Sequence, residues 1–214
     1  MEDREWRRLG RSNPPIPGSA VSLLFSPLVE EALRVAARCH AGQTRKGCEV
    51  PYLTHPAAVA LILARAGFDE DDVLAAAILH DVVEDSDYSM AELERDFPAP
   101  VLAYVAALTE RKRDEQGNRR DWESRKREHI AEIAGAPLPA RAIALADKLH
   151  NLGTMVYDLQ RGTNVWERFN APSERIRWYY SEMIAAAAQE DPALASLANA
   201  CRALLARLER SAAG

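Results

Sequence analysis

Apolar positions recur along this 214-residue chain at intervals of three and four, the spacing that lays one side of an α-helix against a core. From Ser26 the pattern is continuous. Ser26-Pro27 supplies an N-cap and a first-turn proline, and Leu28, Ala32, Val35, Ala36 and Cys39 follow on one face. A polar loop from Ala41 to Val50 leads to Pro51-Tyr52-Leu53-Thr54-His55-Pro56, where Pro56 can open a second helix that ends at Gly67. Asp69 is expected to cap a third helix over about Glu70 to Glu84, whose middle, Val73 to Leu79, is almost wholly apolar and predicts burial on most sides. Ser89-x-x-Glu92 is a capping-box pattern for a short helix, and another is expected from Pro100 to Thr109.

The stretch Glu110 to Arg127 is crowded with charge and contains Gly117-Asn118, so a mobile loop is expected there. Pro137 and Pro139 introduce a long helix running through Leu152. Gly162 and Pro172 bracket a loop, and helices over Ser173–Gln189 and Asp191–Arg210 close the sequence. No useful run alternates as a strand would, and no segment repeats. The pattern predicts an all-α fold with one domain over residues 26–212. Residues 1–25 are expected to form a flexible tail, because Glu2 to Arg11 is highly charged and Asn13-Pro14-Pro15-Ile16-Pro17-Gly18 cannot hold a helix.

Composition sharpens this picture in three ways. A scarcity of aromatic residues, 7% against 48% hydrophobic overall, favours helix over sheet. The net charge of −5 argues against general nucleic-acid binding, which needs a basic face, but leaves room for a small anionic substrate held by a few cations. Cys39, Cys48 and Cys201 are odd in number and form no CxxC pair, so they read as free thiols in a reducing cytoplasm. No apolar run is long enough to suggest a membrane span.

The chemistry concentrates at His80-Asp81, at the end of the expected buried helix, with Glu84-Asp85 just beyond. Four ionisable groups there are costly unless they are paired or bind a metal. Imidazole and carboxylate donors without thiolates suit Mn²⁺, Fe²⁺ or Zn²⁺ rather than a structural zinc site. Adjacent helix positions point about 100° apart, so His80 and Asp81 reach one ion only from a groove between helices, with further ligands supplied from elsewhere. His55 and Asp147 are the obvious candidates. Glu84 lies one turn after His80, placed to act on a water or a leaving group. Each residue alone has a structural alternative: Asp147 as a surface carboxylate, Glu84 and Asp85 as a solvated last turn. Carboxylates at a helix C-terminus oppose its dipole, which weighs against that last alternative.

Three runs together resemble the hydrolase domain of RelA/SpoT-type proteins, in its small alarmone hydrolase form. They are His40-Ala41-Gly42-Gln43-Thr44-Arg45-Lys46 with Pro51 to Ala60, then Leu79-His80-Asp81-Val82-Val83-Glu84-Asp85-Ser86, then Ala146-Asp147-Lys148-Leu149-His150-Asn151-Leu152. The resemblance implies an HD-domain helical bundle with a single metal site, Mn²⁺ or else Fe²⁺ or Zn²⁺, in a groove between helices. By motif position the ligands would be His55, His80, Asp81 and Asp147, and the catalytic carboxylates Glu84 and Asp85. Arg45, Lys46, Tyr52, Lys148 and Asn151 would contact the substrate. The implied reaction is a stand-alone, cytoplasmic removal of pyrophosphate from the 3′ position of ppGpp or pppGpp.

The sequence departs from the family pattern in the register of Gly47, in Lys148 where long members often have Arg, and in Arg111-Lys112-Arg113 where acidic residues are common. His40 reads as structural, and His129 and His150 as surface or packing residues. Trp166, Trp178, Tyr179 and Tyr180 read as core or rim. Two other functions share the same residues: hydrolysis of another nucleotide such as NADPH or a deoxynucleotide, and an alarmone sensor that binds without cleaving.

Overall fold

The computed structural model describes residues 24–114, 116–169 and 171–212, so most of the expected N-terminal tail lies outside the described residues. The described chain is built from helices α1 (Pro27–Cys39), α2 (Thr54–Arg65), α3 (Asp71–Leu79), α4 (Val82–Asp85), α5 (Met90–Asp96), α6 (Ala99–Leu108), α7 (Trp122–Ala134), α8 (Leu138–Leu159), α9 (Ser173–Ala188) and α10 (Ala195–Ala212). Short 3-10 turns, Val165–Arg168 and Pro192–Leu194, precede α9 and α10. Two isolated β-bridges, Thr44 with Pro51 and Arg113 with Arg119, are all the strand pairing among the described residues. The all-α expectation is met.

The local signals act as their chemistry requires. Ser26 accepts the Val29 N–H at the start of α1, and Ser89 and Glu92 form both halves of a capping box on α5. α3 packs between α1 and α2, which explains why Val73 and Ala75 to Leu79 are all buried. α8 is the axis of the bundle, in contact with α2, α9 and α10. Its alanines at 140, 142, 144 and 146 are buried and let neighbouring backbones approach closely, while Ile143 and Leu145 fill the remaining space.

Three expectations need correction. The helix foreseen from Glu70 to Glu84 is two: α3 stops at Leu79, and α4 begins afresh at Val82. Asp69 does not cap α3; its N-cap is Glu70, without a side-chain bond. The loop foreseen from Glu110 to Arg127 ends early, because Asp121 accepts the Ser124 N–H and starts α7 at Trp122. The charge of that stretch is what a solvated helix face carries, as the Glu123–Arg127 pair shows. Cys39, Cys48 and Cys201 are all free thiols, and no described helix is long and apolar enough to cross a membrane.

Candidate active site

Three elements meet where the chemistry was expected. His55 sits in the first turn of α2, His80 caps the end of α3, and Asp147 lies at the middle of α8. All three are buried, and their donor atoms lie within 4.8 Å of one another, an arrangement that can hold a metal ion. His55 Nε2 is 3.1 Å from Asp147 Oδ1. The break after Leu79 resolves the problem posed by adjacent positions on one helix: His80 ends α3 and Asp81 opens α4, so both turn inward. Asp81 borders the trio, its Oδ2 lying 3.1 Å from His80 Nε2 and 3.5 Å from His55 Nε2.

The surrounding bonds orient these donors. His80 Nδ1 bonds the Ala77 carbonyl at 2.7 Å, which puts the ring proton on Nδ1 and leaves Nε2 facing the cluster. That Nε2 is buried without a hydrogen-bond partner, the state expected of a nitrogen kept for a ligand. His55 Nδ1 pairs with His150 Nδ1 at 2.7 Å. Asp147 accepts from Asn151 Nδ2 at 2.6 Å and from the Lys148 ammonium. Asp81 accepts from the Tyr52 hydroxyl at 2.7 Å. Two imidazoles and neighbouring carboxylates, without thiolates, fit a divalent cation.

Charge is balanced within the cluster. Burial opposes ionisation of His80, but Asp81 and Asp147 outweigh it and push its pKa up to about 9, so a cation binding at Nε2 would displace a proton from it. Burial likewise opposes charge on Asp81, and the two histidines hold its carboxyl well below the usual range. Burial dominates at His55 and lowers its pKa despite Asp147. Lys148 stays charged against burial because Asp147 is beside it.

These residues floor a cavity of about 160 Å³, lined also by Arg45, Tyr52, Glu84, Lys148 and Asn151. Lys46 and Asp85 are not among the lining residues. The Lys46 ammonium lies 5.9 Å from the Phe169 ring centre, and Asp85 sits at the rim, 3.4 Å from the Tyr52 hydroxyl. Arg45 donates to Asn151 Oδ1 at 2.6 Å. The turn after Arg45 is seated on the segment before α9: Gly47 has φ +79°, which favours glycine, and a Cβ there would meet Arg168 Nε at 2.7 Å, so the arginine side chain would have to shift. Glu84 is mostly buried. Burial raises its pKa, and Lys112 opposes that rise.

The sequence missed part of the wall. Glu110, Lys126, His129 and Tyr179 all line the cavity. Buried Glu110 pairs with Arg125 and Lys126, and the Lys126 ammonium is 4.5 Å from the Tyr179 ring centre. Of the two places left open for His129, surface or packing, the structure gives the second, since it is buried, and His150 touches a candidate ligand. Their signal was hidden, since a charged stretch does not show which of its charges turns inward.

The sequence profile of the HD domain matches residues 32–169. The chain belongs to the HD-domain family. Among relatives of this HD domain, the GTP pyrophosphokinase of Streptomyces coelicolor is 41% identical over 129 residues, which is 60% of this chain and 15% of that one. The chain therefore spans about 15% of the length of the GTP pyrophosphokinase that it matches. Mouse guanosine-3′,5′-bis(diphosphate) 3′-pyrophosphohydrolase MESH1 is 37% identical over 150 residues, covering 69% of this chain and 78% of that protein. A solved structure described as "A metazoan ortholog of SpoT hydrolyzes ppGpp and plays a role in starvation responses" superposes with TM-score 0.68 at 30% identity, over 86% of this chain and 96% of the other.

Proposed function

We propose that this HD domain, taken as residues 26–212, is a Mn²⁺-dependent, cytoplasmic hydrolase that converts ppGpp to GDP and pppGpp to GTP, with release of pyrophosphate. The observation that carries this reading is a buried His55–His80–Asp147 trio flooring a cavity whose walls hold Arg45, Lys126 and Lys148. The names of the similar proteins support the choice of substrate.

The cavity is far smaller than the roughly 300–1,000 Å³ of a pocket that encloses a drug-sized ligand. At about 160 Å³ it suits the reacting phosphoryl group, with the nucleoside lying outward beside Arg45. His55, His80, Asp81 and Asp147 would hold the cation, which when bound supplies Lewis acidity toward a phosphoryl oxygen and makes water a better nucleophile. Lys148 and Lys126 offset the negative charge of the phosphates. Glu84 takes the proton of the attacking water, a task helped by its raised pKa. Water adds to phosphorus as the bond to the ribose 3′ oxygen breaks. Pyrophosphate departs, and the 3′ oxygen gains a proton. Asp85 assists at the rim, and Arg45, Lys46, Tyr52 and Asn151 position the nucleotide.

The test is metal-stripped protein incubated with ppGpp, with and without Mn²⁺, with products resolved by anion exchange. GDP and pyrophosphate formed only with Mn²⁺ are expected. Binding without turnover at saturating Mn²⁺ would sink the reading in favour of a sensor.

A further inference from the structure

Glu84 and Asp85 stand side by side on a helix of four residues, too short to fix their directions by its own packing. Adjacent carboxylates repel each other. What holds them comes from outside. The segment between α6 and α7 leaves Thr109 in extended form. Glu110 is buried and Arg111 is 72% exposed, while Lys112, itself 44% exposed, reaches back to the two acids.

Lys112 Nζ lies 2.6 Å from Asp85 Oδ1, 3.1 Å from Glu84 Oε1 and 3.2 Å from the Glu84 carbonyl oxygen. An ammonium has three donors, and here three acceptors face them. The Glu110 N–H donates to the other Glu84 oxygen at 3.2 Å. The Glu110 carboxylate is in turn anchored on Arg125 and Lys126 of α7. The segment is thus pinned at one end to α7 and at the other to both acids. Lys112 does not line the cavity, and its ammonium is engaged by these three oxygens.

We propose that Lys112 is a positioning residue for hydrolysis, a single ammonium that holds Glu84 and Asp85 together at the edge of the metal cluster. This rests on the hydrolase reading above. Lys112 acts through the two acids rather than on the nucleotide, so its loss affects turnover and spares binding.

The experiment compares wild type, Lys112→Met, Lys112→Arg and the outward neighbour Arg111→Ala for kcat and KM on ppGpp, bound metal, and the crystal structure of Lys112→Met. Expected for Lys112→Met is a fall in kcat of about tenfold to a hundredfold with KM within about twofold. Metal content should be unchanged, and the two carboxylates displaced. Lys112→Arg should recover part of the rate, since its planar fork meets two carboxylates but not all three acceptors. Arg111→Ala should match wild type. A raised KM at full kcat, or unchanged kinetics, would overturn the proposal, as would carboxylates that keep their places in the Lys112→Met crystal. Should Lys112→Met fail to fold by circular dichroism, Lys112→Gln carries the same readouts. A wild type that does not cleave ppGpp would fail the substrate reading alone, and the crystal comparison would still decide Lys112.

Discussion

Arg45 and Asn151, from opposite halves of the chain, share a hydrogen bond of 2.6 Å, and Asn151 passes the connection on to Asp147 at 2.6 Å. The loop beside the cavity mouth is thereby tied to the floor of the site through a single amide. Arg45→Ala should cut this tie and remove a cation facing the nucleotide. We expect KM for ppGpp to rise about tenfold or more with a smaller change in kcat, measured by steady-state kinetics. An unchanged KM would place the nucleotide elsewhere.

Removing a ligand should abolish metal retention. His80→Ala is the cleaner choice, because Asp147→Ala would also leave the buried Lys148 ammonium without its partner. Dialysed His80→Ala is expected to retain almost no Mn²⁺ by elemental analysis and to show no turnover. Full metal content would remove His80 from the site.

Glu84→Gln keeps the shape and loses the base. Turnover should drop about a hundredfold or more, while metal content and ppGpp affinity stay near wild type. A rate close to wild type would assign the proton transfer to another group.

Glu110 predicts a stability effect. Replacing it with Ala strands Arg125 and Lys126 together in a mostly buried place, at a cost of about 3 kcal/mol by urea unfolding. A loss well under about 1 kcal/mol would show that solvent reaches those cations.

His129 supplies a pH dependence. Burial first, then Lys148, lowers its pKa to about 4 from an ordinary 6.5. The unfolded chain therefore binds the proton more readily, and stability is full above pH 6.5 and declines as pH falls toward 4. His129→Gln should flatten the decline across that window by on the order of 3 kcal/mol. Parallel stability–pH curves for the two proteins would refute it.

Much of the site was legible because its parts are short and local. His80-Asp81, Glu84-Asp85 and the Asp147-Lys148 run announce themselves within a few residues, and the structure brings them together with His55. The break between α3 and α4 was not legible, since Ala77 to Val83 reads as one unbroken helical run apart from the two polar residues that interrupt it. Glu110 and Lys126 were hidden for another reason. Their pairing is set by the approach of α7 to the segment before it, and one-dimensional charge patterns carry no inside and outside. The same blindness covered His150, whose partner His55 is 95 positions away.

The trio also has a mechanical meaning. His55, His80 and Asp147 come from helices far apart in sequence, so one ion bound to all three closes two long loops of chain, as a pair of cross-links would. An ion bound to the native fold alone draws the unfolding equilibrium toward that fold by mass action. Chelation should thus do more than stop the proposed turnover. It should loosen the seams where α2 and α3 meet α8, and open the chain to proteases there.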